Sequence, residues 1–256
     1  MLFDSHAHLN DESFDEDREE LIASLKENDV DYVVNPGADI ETSKTSIELA
    51  DKYDFIYAAV GVHPHDVKDL NEDSLDILKK LATSHKKVVA IGEIGLDYFY
   101  DNSPREIQKE WFIKQIQLAN ELKLPIIIHD RDAHQDTFDI IKKYKSDDIG
   151  CVLHCYSGSV ELAKEYIKMG CYISIPGTVT FKNAKKVREV VREIPIEKMF
   201  IETDSPYMSP EPFRGKRNNP ARVKLVAEKI SEEINSTYEE VCRVTSENAK
   251  KFFGIE

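Results

Sequence analysis

Short apolar runs recur along the chain, separated by longer segments in which apolar residues return every three or four positions. Runs of the first kind predict strands buried on both faces, and the segments between them predict amphipathic helices packed over those strands. Predicted strands lie at residues 2–4, 31–35, 55–60, 88–92, 126–128, 151–153, 171–175 and 199–201. Helical patterns occupy 15–28, 40–53, 72–84, 105–122, 132–144, 160–169 and 184–194, then two pieces at 220–234 and 237–253. The pattern over 105–122 is the clearest, with Ile107, Trp111, Ile116, Leu118 and Leu122 forming its apolar side. Eight strand–helix units in succession predict a closed (β/α)8 barrel of the TIM type rather than an open sheet. No stretch rich in Gly, Pro or Ser interrupts the alternation and no repeat is evident, so residues 1–256 read as one domain.

A second pattern lies at the ends of the apolar runs. Leu2-Phe3 leads into Asp4-Ser5-His6-Ala7-His8, and Val88-Val89-Ala90-Ile91-Gly92 into Glu93. Ile126-Ile127-Ile128 ends on His129, Cys151-Val152-Leu153 on His154, and Phe200-Ile201 on Glu202-Thr203-Asp204. Burying a polar side chain unpaired costs free energy, so several such strand ends call for a common reason. Barrels of this kind carry their sites at the C-terminal ends of the strands, where these residues fall.

Period-two alternation turns His6 and His8 to one side, where two imidazoles from one strand end suit one metal ion; the alternative is a surface pair that binds nothing. Glu93 stands between Gly92 and Gly95 and offers two oxygens able to bridge two cations, or a carboxylate paired with an arginine. Adding His129 and His154 from neighbouring strands to Glu93 makes a second site. Asp204 completes the first site and is placed to accept a proton from an activated water. Glu202 is expected to orient ligands by hydrogen bonds, or to be a buried structural acid. Asp97 ranks lower as a ligand because it lies further into the loop. His63 is near enough to its strand end to meet substrate, whereas His65, His85 and His134 read as ordinary or solvated. Arg131 can grip a phosphate oxygen or pair with Asp130 or Asp132.

Composition limits what this site can serve. The 256 residues carry 34 Lys and Arg against 48 Asp and Glu, a net charge of −14. That balance argues against nonspecific gripping of duplex DNA, which needs many phosphate neutralisations. The segment Pro212-Phe213-Arg214-Gly215-Lys216-Arg217-Asn218 is locally of opposite sign, and with Tyr207 it offers a cationic, aromatic clamp for a phosphodiester chain, or a loop paired with acidic surface. The four cysteines form no Cys-x-x-Cys pair and read as buried, reduced thiols. No secretory leader and no run of about 20 apolar residues is evident, so the expected location is the cytoplasm.

Taken together, these residues resemble the TatD family of metal-dependent hydrolases, deoxyribonucleases by general description. The resemblance runs through Asp4-Ser5-His6-Ala7-His8-Leu9, Val62-His63-Pro64-His65, Gly92-Glu93-Ile94-Gly95-Leu96-Asp97 and Pro125 to His129 with Arg131. It continues through His154-Cys155-Tyr156-Ser157-Gly158, Val179-Thr180-Phe181-Lys182-Asn183-Ala184, Glu202-Thr203-Asp204-Ser205-Pro206-Tyr207 and Arg214-Gly215-Lys216-Arg217-Asn218. Tyr156 stands where Phe is usual, and Ile175-Pro176-Gly177 replaces a more usual Gly-Gly, which bears on the shape of that loop.

The resemblance implies an amidohydrolase-like barrel and two divalent metal ions, drawn from Zn, Mn, Ni, Co or Mg, held by His6, His8, Glu93, His129, His154 and Asp204, with Glu93 shared. The expected activity is hydrolysis of DNA phosphodiesters by a metal-activated water, as an exonuclease preferring single strands. Asp204 and Glu93 act at the reacting atoms, and His63, Arg131, Arg214, Lys216 and Arg217 hold substrate. Nucleic acid is the expected partner, with no membrane and no obligate protein partner. The competing readings are hydrolysis of another bond, such as the ester of an aminoacylated tRNA or a small amide, and metal binding without turnover.

Overall fold

A computed structural model describes all residues from Met1 to Glu256. Its eight strands form one sheet in chain order, β1 to β8, and helices fill the connections, which is the (β/α)8 barrel class. The strands are β1 (Leu2–Asp4), β2 (Val30–Pro36), β3 (Ile56–Val60), β4 (Val88–Asp97), β5 (Ile126–Arg131), β6 (Cys151–Leu153), β7 (Tyr172–Ile175) and β8 (Met199–Ile201). The helices are α1 (Arg18–Leu25), α2 (Ile40–Lys52), α3 (Glu72–Ser84), α4 (Arg105–Leu122), α5 (His134–Tyr144), α6 (Val160–Lys168), α7 (Lys185–Glu193), α8 (Val223–Ile234) and α9 (Tyr238–Phe253). No helix is long and apolar enough to cross a membrane.

Internal packing divides the chain into two units, Met1–Asn35 with Cys155–Ile167 and Tyr172–Glu256, and Pro36–His154 with Lys168–Cys171. In the first, β8 returns beside β1: the Ser5 amide donates to the Ile201 carbonyl at 3.1 Å. The same pairing continues past both strands, through Asp204 N–H to the His6 carbonyl (2.9 Å) and His8 N–H to the Ser205 carbonyl (2.7 Å). Below it, Phe3 stacks on Phe253 at 6.0 Å and Phe200 meets Phe252 at 5.2 Å, so α9 seals the floor of this unit. Each buried phenylalanine contributes about 1.5–3 kcal/mol of transfer free energy. Thr237 caps the start of α9 and Gly254, in the left-handed conformation that glycine adopts freely, closes its end.

The second unit is built on β3, β4 and β5, where Ile91, Ile94, Leu96 and Ile126 to Ile128 are buried, and α4, with Phe112 and Ile116 buried, packs on β4. Two of its helices begin at reciprocal caps, Asp39 with Thr42 for α2 and Asn71 with Ser74 for α3. Two buried glutamines on α4 serve backbone rather than apolar packing. Gln115 bonds both N–H and C=O of Val62, and Gln108 bonds both of Asp97, so α4 fixes the exits of β3 and β4.

Strands β4 and β5 run past their apolar stretches, to Asp97 and Arg131. Polar residues interrupt the apolar pattern there, yet the ladder continues, with Gly95 opposite His129 and Asp97 opposite Arg131. Conversely, His6 and His8 lie just beyond β1, in a segment kept extended by the bridge from Ala7 to Ser205 and a bond from the Ala7 amide to the Val34 carbonyl (3.0 Å).

Candidate metal centre

In the first unit the extended segment after β1 brings His6 and His8 side by side. Their Nε2 atoms stand 3.2 Å apart, and the Asp204 Oδ1 lies 3.9 Å from the first and 3.5 Å from the second. Asp204 reaches them because its backbone is left-handed, with φ of 52°, a conformation that aspartate tolerates better than most residues. Beneath this triangle Asp4 is fully buried and accepts bonds from the Thr203 amide (2.9 Å) and hydroxyl (2.5 Å) and the His6 amide (3.3 Å). Burial pushes its carboxyl up to about 8, against the lowering effect of the Thr203 bonds. Asp4 thus ties the histidine segment to the Asp204 segment. Glu202 turns to the loop after β6, where it accepts from the Cys155 amide, and the Cys155 thiol points at Asp204 Oδ2 from 3.6 Å.

In the second unit Glu93 gathers imidazoles around a single oxygen. Oε1 lies 2.8 Å from His129 Nδ1, 3.1 Å from His154 Nε2 and 3.7 Å from His63 Nε2. The other nitrogen of His129 faces Asp97 Oδ2 at 3.0 Å, and His65 Nε2 meets the same oxygen at 3.0 Å. A carboxylate behind a ligand imidazole fixes its tautomer and ring angle, and Asp97 occupies that position for His129. The opposite oxygen, Oδ1, accepts from the amides of Phe99 (3.0 Å) and Tyr100 (2.8 Å).

The charges of this group are strongly coupled. Burial opposes a charged His129, but bonds to Asp97 and Glu93 outweigh it and raise its pKa to about 8. Burial, and then the facing His129, hold His63 well below the usual imidazole value. Burial acts to raise Asp97, but bonds with His129 and His65 prevail and hold it well below the usual carboxylate range.

The first donor set is spaced for a divalent ion, and the second gathers donors of the right kind around one carboxylate oxygen. Donors bonded to one ion at about 2.0–2.2 Å in a tetrahedral array stand about 3.3–3.6 Å apart. Edges of 3.2, 3.5 and 3.9 Å in the first set bracket that spacing. So do the 3.1 and 3.7 Å separations at Glu93, while the 2.8 Å contact to His129 is that of a hydrogen bond. His63, Glu93 and His129 by themselves offer three donor atoms within 4.8 Å of one another. Mixed imidazole and carboxylate donors accept zinc and its first-row neighbours readily.

The residues expected to hold substrate are distributed differently. Arg131 forms no ion pair; its guanidinium lies over Phe99 at 4.1 Å and Tyr100 at 4.8 Å, and Asp130 pairs instead with His134 at 2.9 Å. Arg217 is engaged, bonding both oxygens of Asp17 (2.8 and 2.5 Å) and the Ser13 carbonyl (2.6 Å) while lying over Phe14. Arg214 lies over Phe181 at 4.4 Å, and Lys216 is exposed. Tyr207 is more than half exposed, its hydroxyl donating to Asp11 at 2.9 Å.

Sequence reasoning left His65 to solvent, whereas it packs edge-on against His63 (ring centroids 4.3 Å apart) and bonds Asp97. Asp97, expected in the loop, instead ends β4, and Phe99 and Tyr100 follow it directly. The signal available for Asp97 was its even spacing from Glu93, which places both on one face once β4 is allowed to continue.

Comparison with known proteins agrees with this geometry. The family model described as TatD related DNase matches residues 3–254. The metal-dependent hydrolase YabD of Bacillus subtilis is 52% identical over 255 residues, covering 100% of both chains. The metal-dependent hydrolase YcfH of Escherichia coli is 37% identical, covering 100% of this chain and 97% of its own. Among solved structures, the TatD homologue YjjV of Escherichia coli superposes with a TM-score of 0.93 at 30% identity, over 100% of this chain and 98% of that one. A lactonase of Deinococcus radiodurans, at 14% identity, shares the barrel with a TM-score of 0.67 over 99% and 95% of the two chains.

Proposed function

The chain belongs to the TatD-related family of metal-dependent hydrolases, and on that premise we propose that it hydrolyses phosphodiester bonds of DNA, working from the end of a single strand with two divalent ions. The observation that carries this reading is the triangle of His6, His8 and Asp204, spaced for an ion, together with the imidazoles of His129 and His154 that face one oxygen of Glu93. His6, His8 and Asp204 hold one ion, and Glu93, His129 and His154 hold the other. When bound, such ions polarise a phosphoryl oxygen and lower the pKa of water from 15.7 toward about 7.

The protein's own groups do the rest. Asp204 is the proton acceptor: its carboxylate lies 3.5 Å from His8 Nε2 and 3.9 Å from His6 Nε2, beside the proposed ion. Asp97 holds His129 in one tautomer, and Asp4 with Thr203 holds the loop that presents Asp204. Arg131, cationic and without an ion pair, takes a phosphate oxygen, and His63, kept neutral by burial, hydrogen-bonds the same group. Arg214 and Lys216 attract the strand beyond the scissile bond, while Arg217 pairs with Asp17.

Metal-reconstituted protein incubated with end-labelled single strands, matched duplexes and aminoacylated tRNA tests the reading. Mononucleotides released from one terminus, faster from single strands than from duplexes, are expected. Deacylation of the tRNA with no cleavage of DNA under any divalent metal would transfer the function to ester hydrolysis.

A further inference from the structure

The turn after β4 carries two exposed large aromatic side chains beside the Glu93 donor set, Phe99 and Tyr100, exposed by 56% and 54%. A solvent-facing aromatic pair loses hydrophobic stabilisation, so its upkeep asks for a purpose. Three features hold the pair in place. Asp97 Oδ1 accepts from both of their amides, while Oδ2 of the same carboxylate bonds His129 and His65. The guanidinium of Arg131 covers a face of each ring at 4.1 and 4.8 Å. The rings also meet one another edge to face, with centroids 4.8 Å apart, and Tyr100 meets His65 in the same way at 5.3 Å. One carboxylate therefore couples this aromatic turn to the imidazole group around Glu93.

Resting on the phosphodiesterase reading above, we infer that Phe99 and Tyr100, braced by Arg131, form the subsite that seats a nucleobase beside the scissile phosphate. Every base has a π-face, so stacking on an aromatic ring supplies affinity without demanding sequence. Arg131 serves two ends in this arrangement. Its Cζ lies over the two rings and it enters no ion pair, so its N–H groups can donate to a phosphate oxygen. A cation without an ion pair, in a chain of net charge −14, is available to an anionic ligand. Tyr100, in contact with His65, is the inner wall; Phe99 is the outer one. The ligand class is a single-stranded nucleotide end with an unpaired base, and a duplex end, whose bases are already stacked, gains less.

The experiment compares single strands that end in a normal nucleotide with strands that end in an abasic one, and follows binding through the fluorescence of a terminal 2-aminopurine, which stacking quenches. The native protein is expected to prefer the base-bearing end by about 10-fold or more in KM, from about 1–3 kcal/mol of stacking. Tyr100→Ala and Phe99→Ala should each shrink that preference, the double variant should abolish it along with the quenching, and Tyr100→Trp should restore both. Equal handling of the two ends by the native protein, or a preference that survives the double variant, overturns the subsite while leaving phosphodiester cleavage standing. No cleavage of either strand overturns both readings together.

Discussion

Gly95 lies against the backbone of His129 so closely that a Cβ there would stand 1.9 Å from the His129 carbonyl oxygen. Its φ of +149° is also one that side-chain-bearing residues rarely adopt. The two residues are register partners in β4 and β5, so this approach sets where His129 sits relative to Glu93. Gly95→Ala must push the strands apart or twist β4. A loss of about 2 kcal/mol or more is expected, lowering Tm by roughly 5 °C in a chain of this size. The ion that we propose at Glu93, His129 and His154 should be lost with it. Unchanged Tm and unchanged metal content would show that the contact relaxes freely.

Two ions follow from two donor sets. Elemental analysis after reconstitution should approach two per chain, and His129→Ala combined with His154→Ala should reduce this to one, held by His6, His8 and Asp204. Saturation at one ion in the native protein, unaffected by that double change, would remove the second site.

Much of this arrangement can be read from the sequence because burial leaves few options. Apolar runs that lead into His129, His154 and Asp204 place polar side chains where each must find a partner, and the structure supplies such partners for His129 in Glu93 and Asp97. The reading stopped short where polar residues enter a strand. Glu93, Asp97, His129 and Arg131 break the apolar pattern, so β4 and β5 seemed to end early, although their backbones continue to pair. With β4 cut at Gly92, Asp97 falls into a loop and its alignment with Glu93 is hidden. Pairings between distant segments are likewise absent from local pattern: nothing near Arg217 announces that Asp17 will occupy it. Gly95 reads as flexible punctuation until its neighbour in the next strand is known.

Asp204→Asn preserves shape while removing charge and proton acceptance. We expect Tm within about 2 °C of the native value and a loss of about 100-fold or more in kcat, the usual scale for a general base. Measuring turnover at saturating metal separates weakened ion binding from lost proton transfer. Near-native turnover there would relieve Asp204 of the role.

Lys87 provides a contrast away from the site. Its ammonium donates to the carbonyls of Ala50 (2.7 Å), Tyr53 (2.7 Å) and Ile56 (3.3 Å), closing the end of α2, where the helix dipole favours a cation. Burial lowers its pKa from the usual lysine value. Lys87→Ala leaves three carbonyls without this donor and should cost about 1–2 kcal/mol. Calorimetry should show a Tm lower by about 3–6 °C, with both ions retained. A variant as stable as the native chain would mean that water replaces the ammonium without loss.

The basic loop is expected to act through two of its three cations. Arg217 bonds Asp17 and Ser13, so it is held in an internal ion pair, whereas Lys216 is exposed and Arg214 rests only on the ring of Phe181. Each phosphate contact on a single strand contributes about 0.7 to the slope of log affinity against log salt. Arg214→Ala with Lys216→Ala should therefore flatten that slope by about 1.4 when binding of a single-stranded oligonucleotide is titrated from low to moderate salt. Arg217→Ala gives up a partly exposed pair worth no more than about 1 kcal/mol. It should lower Tm by a few degrees at most and change the slope by less than either of the other two. If the double variant binds with the native slope and Arg217→Ala flattens it, the Asp17 pair opens on binding and Arg217 is the residue that meets the strand.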